Sequence, residues 1–186
     1  MPSVHRVVIG PNKDKKSAVI LRDSPNQQEV PELYWSSTLW ATTELPADNT
    51  ISGDRAADVT RREPVGNGLI FRALAIPPDA ADIRTHSAGL QKINEQLKQK
   101  YPPTPAELAR DPGMHRTDTL DLFTVAYGEI YLVTDTDETL LQPGDTAVVQ
   151  SVNHAWTNRS DKPCMIIGVN VHADRWPADR YPAPDL

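Results

Sequence analysis

Apolar and polar positions change period twice along this chain. His5 to Ile9 and Ser17 to Leu21 are rich in β-branched residues, and Gly10-Pro11-Asn12-Lys13-Asp14 between them is a turn cluster; the pattern predicts an N-terminal hairpin. Glu32 to Thr43, which carries Tyr34, Trp35, Leu39 and Trp40, predicts a strand with a heavy aromatic load. Leu45 to Pro64 mixes Pro, Asp, Asn, Gly and Arg without clear period and reads as a long loop. Gly68 to Ile76 is an apolar strand stopped by Pro77-Pro78. The period then becomes helical. Leu90, Ile93 and Leu97 mark one face of an amphipathic helix over Ser87 to Lys100. Thr104-Pro105-Ala106-Glu107 combines an N-cap, a proline at the first helical position and a capping-box acid, which predicts a short helix over Pro105 to Arg110. From there the strands come quickly: Leu120 to Ala126, Glu129 to Thr134, Thr139 to Leu141, Thr146 to Gln150, His154 to Asn158 and Cys164 to Val171, punctuated by turns such as Tyr127-Gly128 and Pro143-Gly144-Asp145. Short strands at regular spacing predict an all-β sandwich or barrel, with a helical insertion around 87–110. No internal repeat interrupts this order.

Length and composition sharpen the picture. A chain of 186 residues predicts one domain with a real core. Its parts are N-terminal strands and loop (1–80), a helical insertion (81–112), a strand-rich centre (113–172) and an extended tail (173–186). The 17 prolines favour short strands over long helices. A net charge of −6 with no block of like charges argues against a nucleic-acid surface. Cys164 is the only cysteine, so no disulfide can form within the chain. It lies in an apolar run and is expected to be a buried structural thiol in a reducing, cytoplasmic protein. No apolar segment approaches the roughly 18 residues needed to span a membrane, and the N-terminus lacks the apolar core of a signal peptide.

Candidate chemistry concentrates between Gly113 and Asn158. Positions 115, 117, 119 and 121 share one face of an extended strand. His115 and Asp121 can thus point inward together, with His154 arriving from a paired strand. Two imidazoles and a carboxylate suit Fe, Mn, Zn or Ni. The same residues without a metal serve as acid, base or hydrogen-bond donor, and two structurally satisfied histidines are the third reading. Asp121 has the alternative of pairing with Arg116 or Arg72. Thr117 and Trp156 share the inward phase, and Trp156 either walls a pocket for a flat or apolar substrate or fills the core. Asp118 reads as a turn residue, or as a substitute ligand if the strand bulges. Tyr34, Trp35 and Trp40 read as core or dimer contacts, Asn153 and Asn158 as turn and strand-end residues, and His5, His86 and His172 as ordinary surface. Ser151 is no nucleophile partner for His154, because a spacing of three sends the two to opposite faces. G-x-S-x-G, G-x-G-x-x-G, phosphate-loop and paired-cysteine motifs are all missing from the sequence.

These residues carry a family resemblance. Counting back from Gly128, Asp121 falls at the glutamate position and His115 at the first histidine of the first cupin motif, with Thr117 at the second histidine. His154 and Asn158 match the end of the second motif, and Pro143-Gly144-Asp145 matches the turn before it. Val149-Gln150-Ser151 stands where that motif has Pro-x-Gly. Gly113 to Val171 therefore resembles the cupin superfamily, of the small single-domain conserved-barrel type. The resemblance implies a double-stranded β-helix (jelly-roll) barrel with a small-molecule substrate in its mouth. It also implies a divalent metal (Fe, Mn, Zn or Ni) on His115, Asp121 and His154, and a homodimer formed through the N-terminal strands. The expected activity is lyase or isomerase chemistry: dehydration, isomerisation or decarboxylation of a carbonyl- or carboxylate-bearing compound, aromatic ones included. An Fe(II) dioxygenase and a metal-free small-molecule-binding protein are the alternatives.

Overall fold

A computed structural model describes residues 3–50, 53–79 and 83–175, with 83–86 as backbone only. The extended tail expected over 173–186 lies, beyond residue 175, outside the described residues. Two sheets form the body. The larger has the order β3-β4-β5-β11-β6-β9, built from Gln27–Val30, Tyr34–Thr42, Leu69–Ile76, Cys164–His172, Thr119–Tyr127 and Thr146–Gln150. The smaller has the order β10-β7-β8, built from Ala155–Thr157, Ile130–Val133 and Glu138–Leu141. Every pairing is antiparallel. This is the mostly β architecture that the strand spacing predicts, in the jelly-roll form that the resemblance implies.

The core sits between the sheets, where Leu74, Phe123, Val125, Ile130, Cys164 and Ile166 pack together. Strand β6 shows why. Thr119, Asp121, Phe123 and Val125 are buried, whereas Leu122 and Thr124 between them are exposed, the period-two signature of a strand with one covered face. Strands β5 and β11 occupy the middle of the sheet and are covered on both faces. Ala73, Ala75 and Met165 pack with Trp35 and Leu39 on the side away from the first cluster. That double coverage is why both strands read as unbroken apolar runs rather than as alternation. Gly168 in β11 permits their close approach to β6: a Cβ there would lie 2.0 Å from the Leu122 carbonyl oxygen and 2.6 Å from Phe123 Cδ1.

The predicted N-terminal hairpin is present as β1 (Arg6–Pro11) and β2 (Ser17–Asp23). Arg6 fastens it to the body. Its guanidinium donates to Asp23 and Asp54 and to the Leu39 carbonyl oxygen. The helical insertion also stands where expected, between β5 and β6. Helix α2 spans Pro105–Arg110 with the full Thr104–Glu107 capping box. Helix α1 spans Ile83–Gln96, about a turn earlier than the sequence predicts. Its first turn, Ile83-Arg84-Thr85-His86, carries no apolar stripe to announce it, and it ends where Lys98 adopts a left-handed conformation (φ 53°). Strand β3 was not predicted. Its Gln-Gln-Glu-Val sequence is polar because it lies at the sheet edge and pairs with β4 alone.

Candidate functional site

A cavity of about 90 Å³ opens between the two sheets beneath α1. Its floor crosses adjacent strands of the large sheet. Arg72, Leu74 and Ile76 contribute from β5, Asn170 from β11, and Asp121 and Phe123 from β6. Leu90, Ile93 and Asn94 of α1 close it from above. All five residues singled out from the sequence line it: His115, Thr117, Asp121, His154 and Trp156.

The two histidines meet through an isolated antiparallel bridge that precedes β6 and β10. Each backbone N–H donates to the other's carbonyl oxygen at 3.0 Å, and the ring centroids stand 4.4 Å apart. Each Nδ1 lies against a backbone carbonyl, that of Gly113 at 2.9 Å for His115 and that of Val152 at 3.0 Å for His154. A carbonyl only accepts, so each Nδ1 carries the proton and each Nε2 is left with its lone pair. Burial pushes the His115 pKa well below the usual histidine value, and the charge of Arg62 and the neighbouring His154 push it further. Burial also lowers His154, against the opposing pull of Asp121. Both rings are therefore neutral at pH 7.

Asp121 is held in two directions. Its Oδ1 accepts from Asn170 Nδ2 at 2.6 Å, the residue directly opposite in the β6–β11 register. Its Oδ2 faces His154 Nε2 at 3.9 Å. It does not pair with Arg116 or Arg72 among the described residues. Thr117 Oγ1 lies 2.6 Å from Thr119 Oγ1. Trp156 is half-buried and meets Phe123 and His154 edge-on, with centroids 6.0 and 6.2 Å away. Asp118 turns out of the cavity to Lys100 and the Tyr101 hydroxyl, so it takes the turn role rather than substituting for a ligand. Ser151 is buried and donates to the Thr117 carbonyl oxygen. Asn158 is fully buried and bridges the carbonyl oxygens of Ile76 and Lys162. Burial raises the Cys164 thiol to about 11, as suits an inert core residue.

Four cavity residues escaped the sequence reading. Tyr34 packs against the core as expected and also lines the cavity, as do Arg62, Arg72 and Asn170. Arg72 and Asn170 did leave a signal, since each is a lone polar residue at the inward phase of an apolar strand. Arg62 lies in the long loop, where no period exists to read. Arg72 donates from Nη2 to the carbonyl oxygens of Arg62 and Arg61, and Arg62 donates from Nη2 to Asn94 Oδ1 on α1. The Nε of each guanidinium is buried with no hydrogen-bond partner. Desolvation lowers both pKa values, that of Arg62 to about 10, so both stay cationic at neutral pH.

The metal set expected on His115, Asp121 and His154 does not fit this arrangement. Among the described residues no three His, Cys, Asp or Glu side chains are grouped closely enough to hold a metal ion. The donor set explains this. Asp121 spends Oδ1 on Asn170 and has only Oδ2 to offer, Thr117 stands at the second histidine position and bonds to Thr119, and two guanidiniums share the cavity and repel a cation.

A jelly roll with a polar cavity between its sheets belongs to the β-barrel architectures that can enclose a ligand cavity. The sequence agrees over part of its length: residues 105–170 match the family model described as Cupin domain. Two curated proteins of Diaporthe leptostromiformis are similar over a short segment, the phomopsin biosynthesis cluster proteins C' and D. Each is 50% identical over 48 residues, which cover 25% of this chain and 25% of the relative. The match thus spans about a quarter of the length of those proteins. Among solved structures, the Cnp3 cupin domain of Schizosaccharomyces pombe aligns with 90% of this chain and 87% of its own at 9% identity, with a TM-score of 0.47. Among the described residues no helix is long and apolar enough to cross a membrane.

Proposed function

We propose that the cavity is a small-molecule site for proton-transfer chemistry of the lyase or isomerase kind, run by neutral imidazoles rather than by a bound metal. The observation that carries this reading is the His115–His154 pair: both Nδ1 atoms face backbone carbonyls, which leaves two basic Nε2 atoms at the same cavity. A neutral, desolvated imidazole is a competent general base at pH 7. His154 Nε2 takes a proton from the carbon beside a carbonyl group. Asp121, at 3.9 Å from that nitrogen, stabilises the imidazolium so formed. The same imidazolium returns the proton to a neighbouring atom of the substrate, which completes an isomerisation, or to a departing hydroxyl, which completes a dehydration. Arg62 and Arg72 stabilise the enolate charge that develops between the two steps. Trp156 and Phe123 form an apolar wall that keeps water from the enolate.

Incubation of small oxo compounds in D2O tests the reading. The wild-type protein is expected to exchange the α-hydrogen of at least one compound. His154→Gln is expected to lower that rate by about 10²-fold or more, the usual contribution of a general base. Binding without exchange would point to a sequestering protein. Exchange that requires an added metal ion, or that survives His154→Gln, would overturn the mechanism. In this reading residues 1–186 act as one unit, cytoplasmic and homodimeric. The hairpin exposes Val7, Ile9, Val19 and Ile20, and light scattering on Ile9→Lys/Ile20→Lys is expected to show a monomer where the wild type shows a dimer.

A further inference from the structure

We infer that the cavity selects a compact carboxylate, gripped by Arg62 and Arg72. This deepens the small-molecule reading above and rests on it. Charge comes first. Both guanidiniums line the cavity, yet neither makes an ion pair among the described residues. Their bonded Nη2 atoms meet only neutral acceptors, namely Asn94 Oδ1 and the carbonyl oxygens of Arg61 and Arg62. Asp121, the one carboxylate lining the cavity, spends Oδ1 on Asn170 and turns Oδ2 toward His154. With both histidines neutral, the lining holds two positive groups against one negative. A buried cation is costly until an opposite charge reaches it, so the lining is short of one anion.

Hydrogen-bond accounting gives the same answer independently. The Nε of Arg62, the Nε of Arg72 and the Oδ1 of Asn170 are buried without partners. Buried polar groups are almost always satisfied, and orphans gathered at one place call for a ligand that completes them. Two orphan donors on planar guanidiniums suit the two oxygens of a carboxylate. The orphan acceptor of Asn170 suits a hydroxyl or enol hydrogen on the same molecule.

Register and size define the rest of the ligand. Asn170 lies opposite Asp121, and Arg72 lies opposite Gly168 two residues nearer the start of β11. Leu74 and Ile76 continue β5 beyond Arg72 on the same face, and Phe123 extends the apolar part. The floor therefore runs from a polar, cationic end to an apolar end. A cavity of about 90 Å³ holds only a few water volumes at ~30 Å³ each and falls well below the roughly 300–1,000 Å³ typical of larger ligands. The ligand class is a short-chain oxo- or hydroxycarboxylate, with its carboxylate at the arginines and its apolar end toward Leu74 and Ile76.

Calorimetry on the full chain tests this with pyruvate, 2-oxobutyrate and 2-hydroxybutyrate, their uncharged amides, and inorganic phosphate. The expected result is binding of at least one carboxylate at least tenfold tighter than its amide and tighter than phosphate. Arg72→Gln and Arg62→Gln are each expected to weaken that binding tenfold or more, with Arg72→Lys retaining part of it. His154→Gln is expected to leave affinity within about threefold while lowering exchange by about 10²-fold or more, so binding and chemistry fail separately. Carboxylates that bind without any α-hydrogen exchange would leave the ligand class standing and sink the proton-transfer mechanism. Equal affinity for acid and amide, a preference for phosphate, or unaltered affinity in Arg62→Gln would overturn the inference. Should Arg72→Gln fail to fold, the acid–amide comparison on the wild type and the Arg62→Gln titration still decide it.

Discussion

His115 and His154 are kept neutral by burial, and that has a consequence for stability. Above about pH 7 the folded and unfolded chains both carry neutral imidazoles, so the pair adds no pH dependence. As the pH falls through about 6.5, the ordinary histidine value, the unfolded chain takes up protons that the folded cavity refuses. Stability is then lost as the pH falls toward the depressed folded values. Urea unfolding at pH 7.5 and pH 5 is expected to show this loss, at up to about 1.4 kcal/mol per pH unit for each proton excluded. A His115→Gln/His154→Gln double variant is expected to show a flatter profile, and an unchanged slope would contradict the buried neutral pair. The depressed carboxylates Asp54, Glu107 and Glu138 act only at lower pH. At this scale the sequence was readable where a strand imposed its period. Positions 115, 117, 121, 154 and 156 were placed by counting alternate residues and by motif. Tyr34 and Arg62 were not, because an aromatic residue on an apolar strand looks like core and a loop arginine has no phase.

At the scale of elements, two local devices set how the pieces attach to the barrel. Arg6 is buried and spans the hairpin, the loop at Asp54 and strand β4 through five hydrogen bonds. Both carboxylate partners are partly exposed, so solvent screens them in part. Arg6→Met is expected to cost about 2–3 kcal/mol, below the full penalty of breaking a fully buried pair, and Asp23→Asn alone about 1 kcal/mol. Denaturant unfolding measures both, and equal small effects would mean that the hairpin is held by other contacts. Thr104→Ala removes the cap of α2 and is expected to cost about 1 kcal/mol. Glu107 of the same capping box also accepts from Asn153, next to His154, so this cap ties the insertion to the site. The capping box made α2 legible to the residue. The start of α1 was hidden because its first turn has no apolar stripe, and β3 was hidden because an edge strand needs no apolar face.

For the whole molecule, the decisive fact is that β5 and β11 in the middle of the large sheet are covered on both faces, while the inward face of that sheet carries Arg72, Asn170 and, from β6, Asp121 into an otherwise apolar interior. The barrel was legible from short strands and turns, and the convergence of the histidines followed from it. What a metal would meet there was not legible: the identity of three residues gives no information on what their oxygens and nitrogens are already bonded to, and Asn170, Thr119 and the two arginines bear on that. The close approach of β11 and β6 gives a global test. Gly168→Ala would drive a Cβ into the Leu122 carbonyl and Phe123, and is expected to cost more than about 2 kcal/mol or to prevent folding, by the overpacking penalty of a full core. A stable, fully packed variant would contradict the sheet register. The central claim, a neutral imidazole pair presenting two free Nε2 atoms to one cavity, is read most directly by long-range ¹H–¹⁵N correlation spectra of histidine-labelled protein at pH 7. The account predicts the Nδ1–H tautomer for both His115 and His154, unmoved by stoichiometric Zn(II) and shifted by a bound short carboxylate. Imidazolium signals, an Nε2–H tautomer, or direct Zn(II) ligation at both rings would contradict it.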